Sequence, residues 1–166
     1  MFELKRLNPD GIERSLEKAH LYRLLNEPEE AESICLDILA VAPGNQRALV
    51  TLLLALTDQI PHEPSEAVRR AHELLPQLDG EYARAYYAGI IAERRANVHL
   101  ATRSAGAEAA AFELYRLAMD HYEKAEPLAE TGNDDARLRW NTCARQITRH
   151  GLKPAPAEPR ETLMLE

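Results

Sequence analysis

Pro28 is the residue that most restricts how this chain can fold. It falls in Asn26-Glu27-Pro28, between an apolar-periodic run ending near Leu25 and another holding Ile34, Ile38 and Leu39. Proline lacks an N–H and its ring clashes with the turn before it, so no helix runs through this point. It does suit the opening position of a helix. Two helices must therefore meet across a tight turn. Leu21, Leu24 and Leu25 are expected on the meeting face of the first, and Ile34, Ile38 and Leu39 on that of the second. Ala19 and Ala31, twelve positions apart, put small residues where the two backbones come close.

Similar punctuation divides the rest. Residues 1–8 read as a lead-in, and Asn8-Pro9-Asp10 opens the first helix with a capping side chain, a proline and an acid. Helices are predicted from there to about Leu25 and from Pro28 to about Val41. Pro43-Gly44-Asn45 separates them from a third, Gln46 to about Asp58, so rich in leucine that it should be buried between neighbours. A fourth should run from Ser65 to about Leu75, with Ala67, Ala71 and Leu74 on its seam. Ala67 follows Ala31 by 36 residues.

A third pair is predicted as Tyr82 to about Ala101 and Ser104 to about Leu128. Its small residues, Gly89 and Ala118, are 29 positions apart, 17 more than in the first pair. The excess consists of helix formers such as Ala-Glu-Arg-Arg-Ala, so both helices should be lengthened and their tip, Thr102 to Gly106, should project. A last helix, Asp134 to about His150, should carry Leu138, Trp140, Ala144 and Ile147 and act as a cap. Residues 151–166, with Pro154, Pro156 and Pro159, read as an extended tail beyond a domain spanning 9–150.

The spacing of Ala19, Tyr22, Ala31 and Pro43 resembles the tetratricopeptide repeat, a helical hairpin of about 34 residues. The resemblance covers about residues 12–150. It implies an all-α, right-handed solenoid of three antiparallel hairpins, the third elongated, plus a capping helix; a generic helical bundle is the alternative. It also implies a non-catalytic scaffold or adaptor that binds a peptide or helix of a partner protein in a concave groove. Carried over in register, the groove comprises Leu16, His20 and Arg23 on the first helix, and Arg47, Val50 and Leu54 on the third. Tyr86, Ile90 and Glu93 follow on the fifth, then Asn141 and Arg145 on the cap. Where the family's best-known mode clamps a terminal carboxylate, this chain has Leu16, His20 and Thr51, which argues against that mode. A self-associating structural unit is the other reading.

Composition narrows the function further. With 20 Lys and Arg against 27 Asp and Glu, the formal charge is -7, unlike a general nucleic-acid binder, which needs clustered cations. No segment has the length and apolarity of a signal peptide or a membrane span, so a cytoplasmic protein without membrane contact is expected. Cys35 and Cys143 fall inside predicted helices and read as buried thiols. Glu17 and His20 form one Glu-x-x-His pair, whereas di-iron bundles need two pairs and two more glutamates. Cys143 and His150 are about 10 Å apart along one helix, too far for a nucleophile and its base. No glycine-rich phosphate loop is present. No cofactor, metal or enzymatic activity is therefore expected.

Arginines gather toward the C-terminal half: Arg94, Arg95, Arg137, Arg139, Arg145 and Arg149. They read either as solvated surface paired internally with Glu93, Asp134 or Asp135, or as a basic end for an acidic partner segment. Tyr82, Tyr86, Tyr87, Tyr115 and Tyr122 should pack in the long hairpin with hydroxyls at its rim.

Overall fold

The structure, a computed structural model, describes residues 2–102 and 104–156. Its described residues form seven α-helices and no strand: α1 Ile12–Leu24, α2 Pro28–Val41, α3 Gln46–Gln59, α4 Pro64–Leu74, α5 Glu81–Thr102, α6 Ala107–Ala125 and α7 Asp135–His150. Short 3-10 turns precede α1 and follow α4 and α6. Pro28 opens α2 as expected, and Pro64 opens α4 one residue before the expected Ser65. Asn8 and Asn45 cap with their side chains, the latter accepting from the Ala48 N–H at 2.9 Å.

Neighbours in sequence pack together: α1 on α2, α2 on α3, α3 on α4, α5 on α6 and α6 on α7. The odd-numbered helices also touch, α1 with α3 and α3 with α5. α5 runs along α6 for most of its length but meets α3 and α4 only sparsely. Pairing of Gly89 with Tyr122 and of Asn97 with Tyr115 makes α5 and α6 antiparallel.

Two main cores result. The first gathers Ala19, Ala31, Cys35, Leu53, Leu56 and Ala71, so the small residues of α1 and α2 do lie inside. α3 is buried on nearly every side, and its threonines bond back to their own helix: Thr51 to the Arg47 carbonyl at 2.7 Å, Thr57 to that of Leu54 at 2.8 Å. The second core holds Ile90, Ala118, Tyr115, Tyr122 and Cys143. Adjacent residues of α5 serve different cores, Ile90 the second and Ile91 the first.

Three sequence expectations are corrected. Leu21, Leu24 and Leu25 are 51%, 85% and 57% exposed rather than packed on α2. α1 turns Leu16, Ala19 and Tyr22 inward instead, and this i, i+3, i+6 row leaves no face for the other leucines. Leu138 is 61% exposed, because α7 packs through Ala136, Arg139 and Cys143. The body also extends past His150. Gly151 takes the left-handed conformation at φ 59°, and the Leu152 N–H reaches the Ile147 carbonyl at 3.0 Å, a Schellman closure. Leu152 is thereby buried in the second core. The remainder of the expected tail, 157–166, lies outside the described residues.

Gly89 explains how closely α5 and α6 approach. A Cβ there would lie 2.4 Å from Cε1 of Tyr122 and 2.9 Å from its Cζ. The Tyr122 ring therefore occupies the volume that any larger residue would need. Gly89→Ala should lower the unfolding free energy by about 1–3 kcal/mol despite alanine's better helix propensity. Denaturant melts of the variant and parent should separate accordingly, and coincident melts would refute the packing. In a second comparison, chains ending at Lys153 and at Gly151 should differ by roughly 1.5–3 kcal/mol, the worth of burying Leu152. Equal stability would show that Leu152 does not belong to the core.

Candidate functional site

The face shared by α1, α3 and α5 carries an open cavity of about 290 Å³. His20 of α1, Arg47, Val50 and Thr51 of α3, and Tyr87 of α5 line it. Three of the groove residues expected from sequence, His20, Arg47 and Val50, are thus brought together. Arg47 is exposed and pairs with Glu13 at 2.5 Å, a contact of little energetic weight at a wet surface. Arg23 lies one turn beyond His20, and its Nε meets Oδ2 of Asp58 at 2.8 Å with both side chains mostly covered. Leu54 is half-buried against the second core.

Other expected groove residues lie elsewhere. Leu16 is fully buried with Ile38 and Ala48. On α5 the predicted row Tyr86, Ile90, Glu93 is turned by one residue from the groove and is covered by α6 and α7. Tyr87 takes the place assigned to Tyr86, about 100° around the helix. At the cap, Arg139 is the residue beside α5. Asn141 and Arg145, about 200° and 240° further around α7, face away from it. Arg145 instead borders a shallow exposed hollow with Arg149, and among the described residues neither arginine has a carboxylate partner.

Beneath this face lies a buried polar cluster. Glu93, 4% exposed, accepts from the Tyr122 hydroxyl at 2.7 Å and from Arg139 Nη1 at 3.1 Å. Tyr86 stacks on Tyr82 and meets Tyr87 edge-on. The Tyr115 hydroxyl donates to Asn97 Oδ1 at 2.5 Å. Burial, then the Glu93 carboxylate, drives the Tyr122 hydroxyl far above its ordinary titration range. The arginine pairing foreseen for Glu93 and Asp134 occurs, through Arg139 and Arg137.

A second, larger cleft of about 450 Å³ opens where α5 outruns α3. Arg94, Asn97 and Val98 of α5, Asp58 of α3 and Asn26 of the first turn border it. Sequence reasoning passed over Asp58, although it is the only acidic residue in α3. That isolation at the end of an apolar helix was a usable signal. In the sequence Arg94 is only one of several arginines of the C-terminal half. Among the described residues no group of three or more His, Cys, Asp or Glu is arranged to hold a metal ion, and no helix is long and apolar enough to cross a membrane.

Buried thiols and tyrosines make stability depend on alkaline pH. Burial pushes Cys35 and Cys143 from 9.0 up to about 12, with Glu32 and Glu93 respectively adding to it. Burial likewise raises Tyr115 from 10.0 to about 12. Each stays protonated in the folded protein while the unfolded chain ionises, so its contribution is complete below about pH 9 and falls as pH rises toward 12. Above its unfolded value each group should remove about 1.4 kcal/mol per pH unit. Urea melts from pH 8 to 11 should show this decline. Cys35→Ala/Cys143→Ala should flatten its onset, and an unchanged slope in that variant would contradict the assignment.

Compared with protein-family models, with characterised proteins and with solved structures, the chain finds no match in any of the three.

Proposed function

We propose that this protein is a non-catalytic interaction module, a tetratricopeptide-like helical solenoid that holds an extended peptide or a helix of a partner protein on the face of α1, α3 and α5. The observation that carries the reading is the convergence of His20, Arg47, Val50 and Tyr87 from three helices on one open cavity. Val50 and Tyr87 beside the exposed Arg47 guanidinium suit an acidic, partly apolar segment. Val50 and Tyr87 also pack against the first core, whereas His20 and Arg47 are exposed and belong to neither core, which leaves those two free to serve recognition. A cytoplasmic scaffold or adaptor role follows from the same reading.

Replacing His20 and Arg47 together by glutamate removes the rim's cation and adds two acids without touching either core. Proximity labelling or cross-linked recovery from the native cell should then lose specific partners, while the melting temperature stays within a few degrees. Full recovery of the same partners by the folded variant would move the binding surface elsewhere.

Self-association is a second reading, favoured by one observation. Leu21 and Leu24 of α1, with Leu25 just past its end, expose a run of apolar surface. A mass that rises with concentration, and reverts when Leu24 and Leu25 become Lys, would support it over a monomeric adaptor.

A further inference from the structure

The two cavities of the α1–α3–α5 face lie in register. Thr51 and Asp58 on α3 are seven residues apart, as are Tyr87 and Arg94 on α5; in each pair the first residue lines the smaller cavity and the second the larger. Seven residues bring a helix back to the same face about 10 Å along its axis. About three residues of extended chain cover that distance. The larger cleft exists because α5, at 22 residues, is eight longer than α3 at 14, so its last turns rise past the end of α3 as a wall.

The chemistry of that wall favours donors. Asp58 sits between two guanidinium groups, with Arg23 at 2.8 Å and Arg94 at only 3.6 Å. One carboxylate against two cations leaves a local charge of about +1 on a chain whose total is -7. Arg94, 36% exposed at its side chain, keeps most of its N–H donors unspent. Asn97 has its carbonyl oxygen engaged by the Tyr115 hydroxyl, which leaves its amide N–H groups as the end available to a ligand. Pro61, Val98 and Ala101 supply an apolar floor.

We propose that the larger cleft receives the carboxylate of an Asp or Glu side chain in an extended partner segment. Arg94 and Asn97 donate to it, while an apolar residue about three positions away fills the smaller cavity at Val50 and Tyr87. This rests on the groove reading above and specifies its ligand. Arg23 keeps Asp58 neutralised, so Arg94 can turn to the incoming acid without leaving a buried charge unpaired. The forked guanidinium suits one carboxylate better than a lysine would.

A phage-displayed library of random dodecapeptides, panned on the full chain, tests this. The selected sequences should share an acidic residue about three positions from a large apolar one. Against a selected peptide, Arg94→Gln should weaken binding about ten-fold, the usual size of a lost charge-assisted hydrogen bond. Panning on that variant should keep the apolar preference and lose the acidic one. Asn97→Asp provides an independent check, since a carboxylate still accepts from Tyr115 but replaces the donor by a negative charge; it too should weaken acidic peptides. Enriched peptides without an acid, or an acidic preference unchanged in both variants, would overturn this inference and leave the groove reading standing. Failure to enrich any peptide would overturn the groove reading and this one with it. Free glutarate binding as tightly as the selected peptides would also overturn it, in favour of a small-molecule site.

Discussion

The buried carboxylate of Glu93 fixes how the last three helices meet. It receives Tyr122 from α6 and Arg139 from α7, so one side chain of α5 addresses both neighbours. Losing Arg139 would leave the covered carboxylate without its cation, and losing the Tyr122 hydroxyl would remove its other donor. The carboxylate therefore ties the relative placement of α5, α6 and α7 to two specific donors. Gly89 acts with it, because only a missing side chain lets the Tyr122 ring come close enough for its hydroxyl to reach Glu93.

The first four helices use different means. Their core is leucine and alanine around α3, and polar ties are made at its edges. Glu32 of α2 accepts from Gln59 at 2.7 Å and pairs with Arg70 of α4, so one acid joins three helices there. Asp58 plays the matching part on the open face, joining α1 to α3 and reaching toward α5. Each acid sits at a helix junction, where a charged end can stay partly wet while its stem is covered.

Much of this was legible in the sequence. Pro28 and the Asn caps mark helix starts by backbone rules that tertiary contacts do not override. The lengthened third pair could be read because its extra residues are helix formers without a turn. Rotation about a helix axis was harder to read. On α5 the row Tyr86, Ile90, Glu93 and the row beginning at Tyr87 are both apolar enough to be inward, and only the covering α6 and α7 decide between them. α1 gave the same difficulty, since leucines surround it and pattern alone cannot choose Leu16 over Leu21. Glycines mislead in a related way. Gly89 reads as a small interface residue, yet the ring that fills its notch lies 33 positions away in sequence.

The sparse contact of α5 with α3 and α4 has a mechanical consequence. Tension applied between the chain's two ends would meet well-knit cores on either side of a thin junction. The two should part there first, between α4 and α5, with Ile91 of α5 withdrawn from the first core while the second stays closed. A segment lying across the α1–α3–α5 face would bridge that junction and carry part of the load, so occupancy would show up as stiffness.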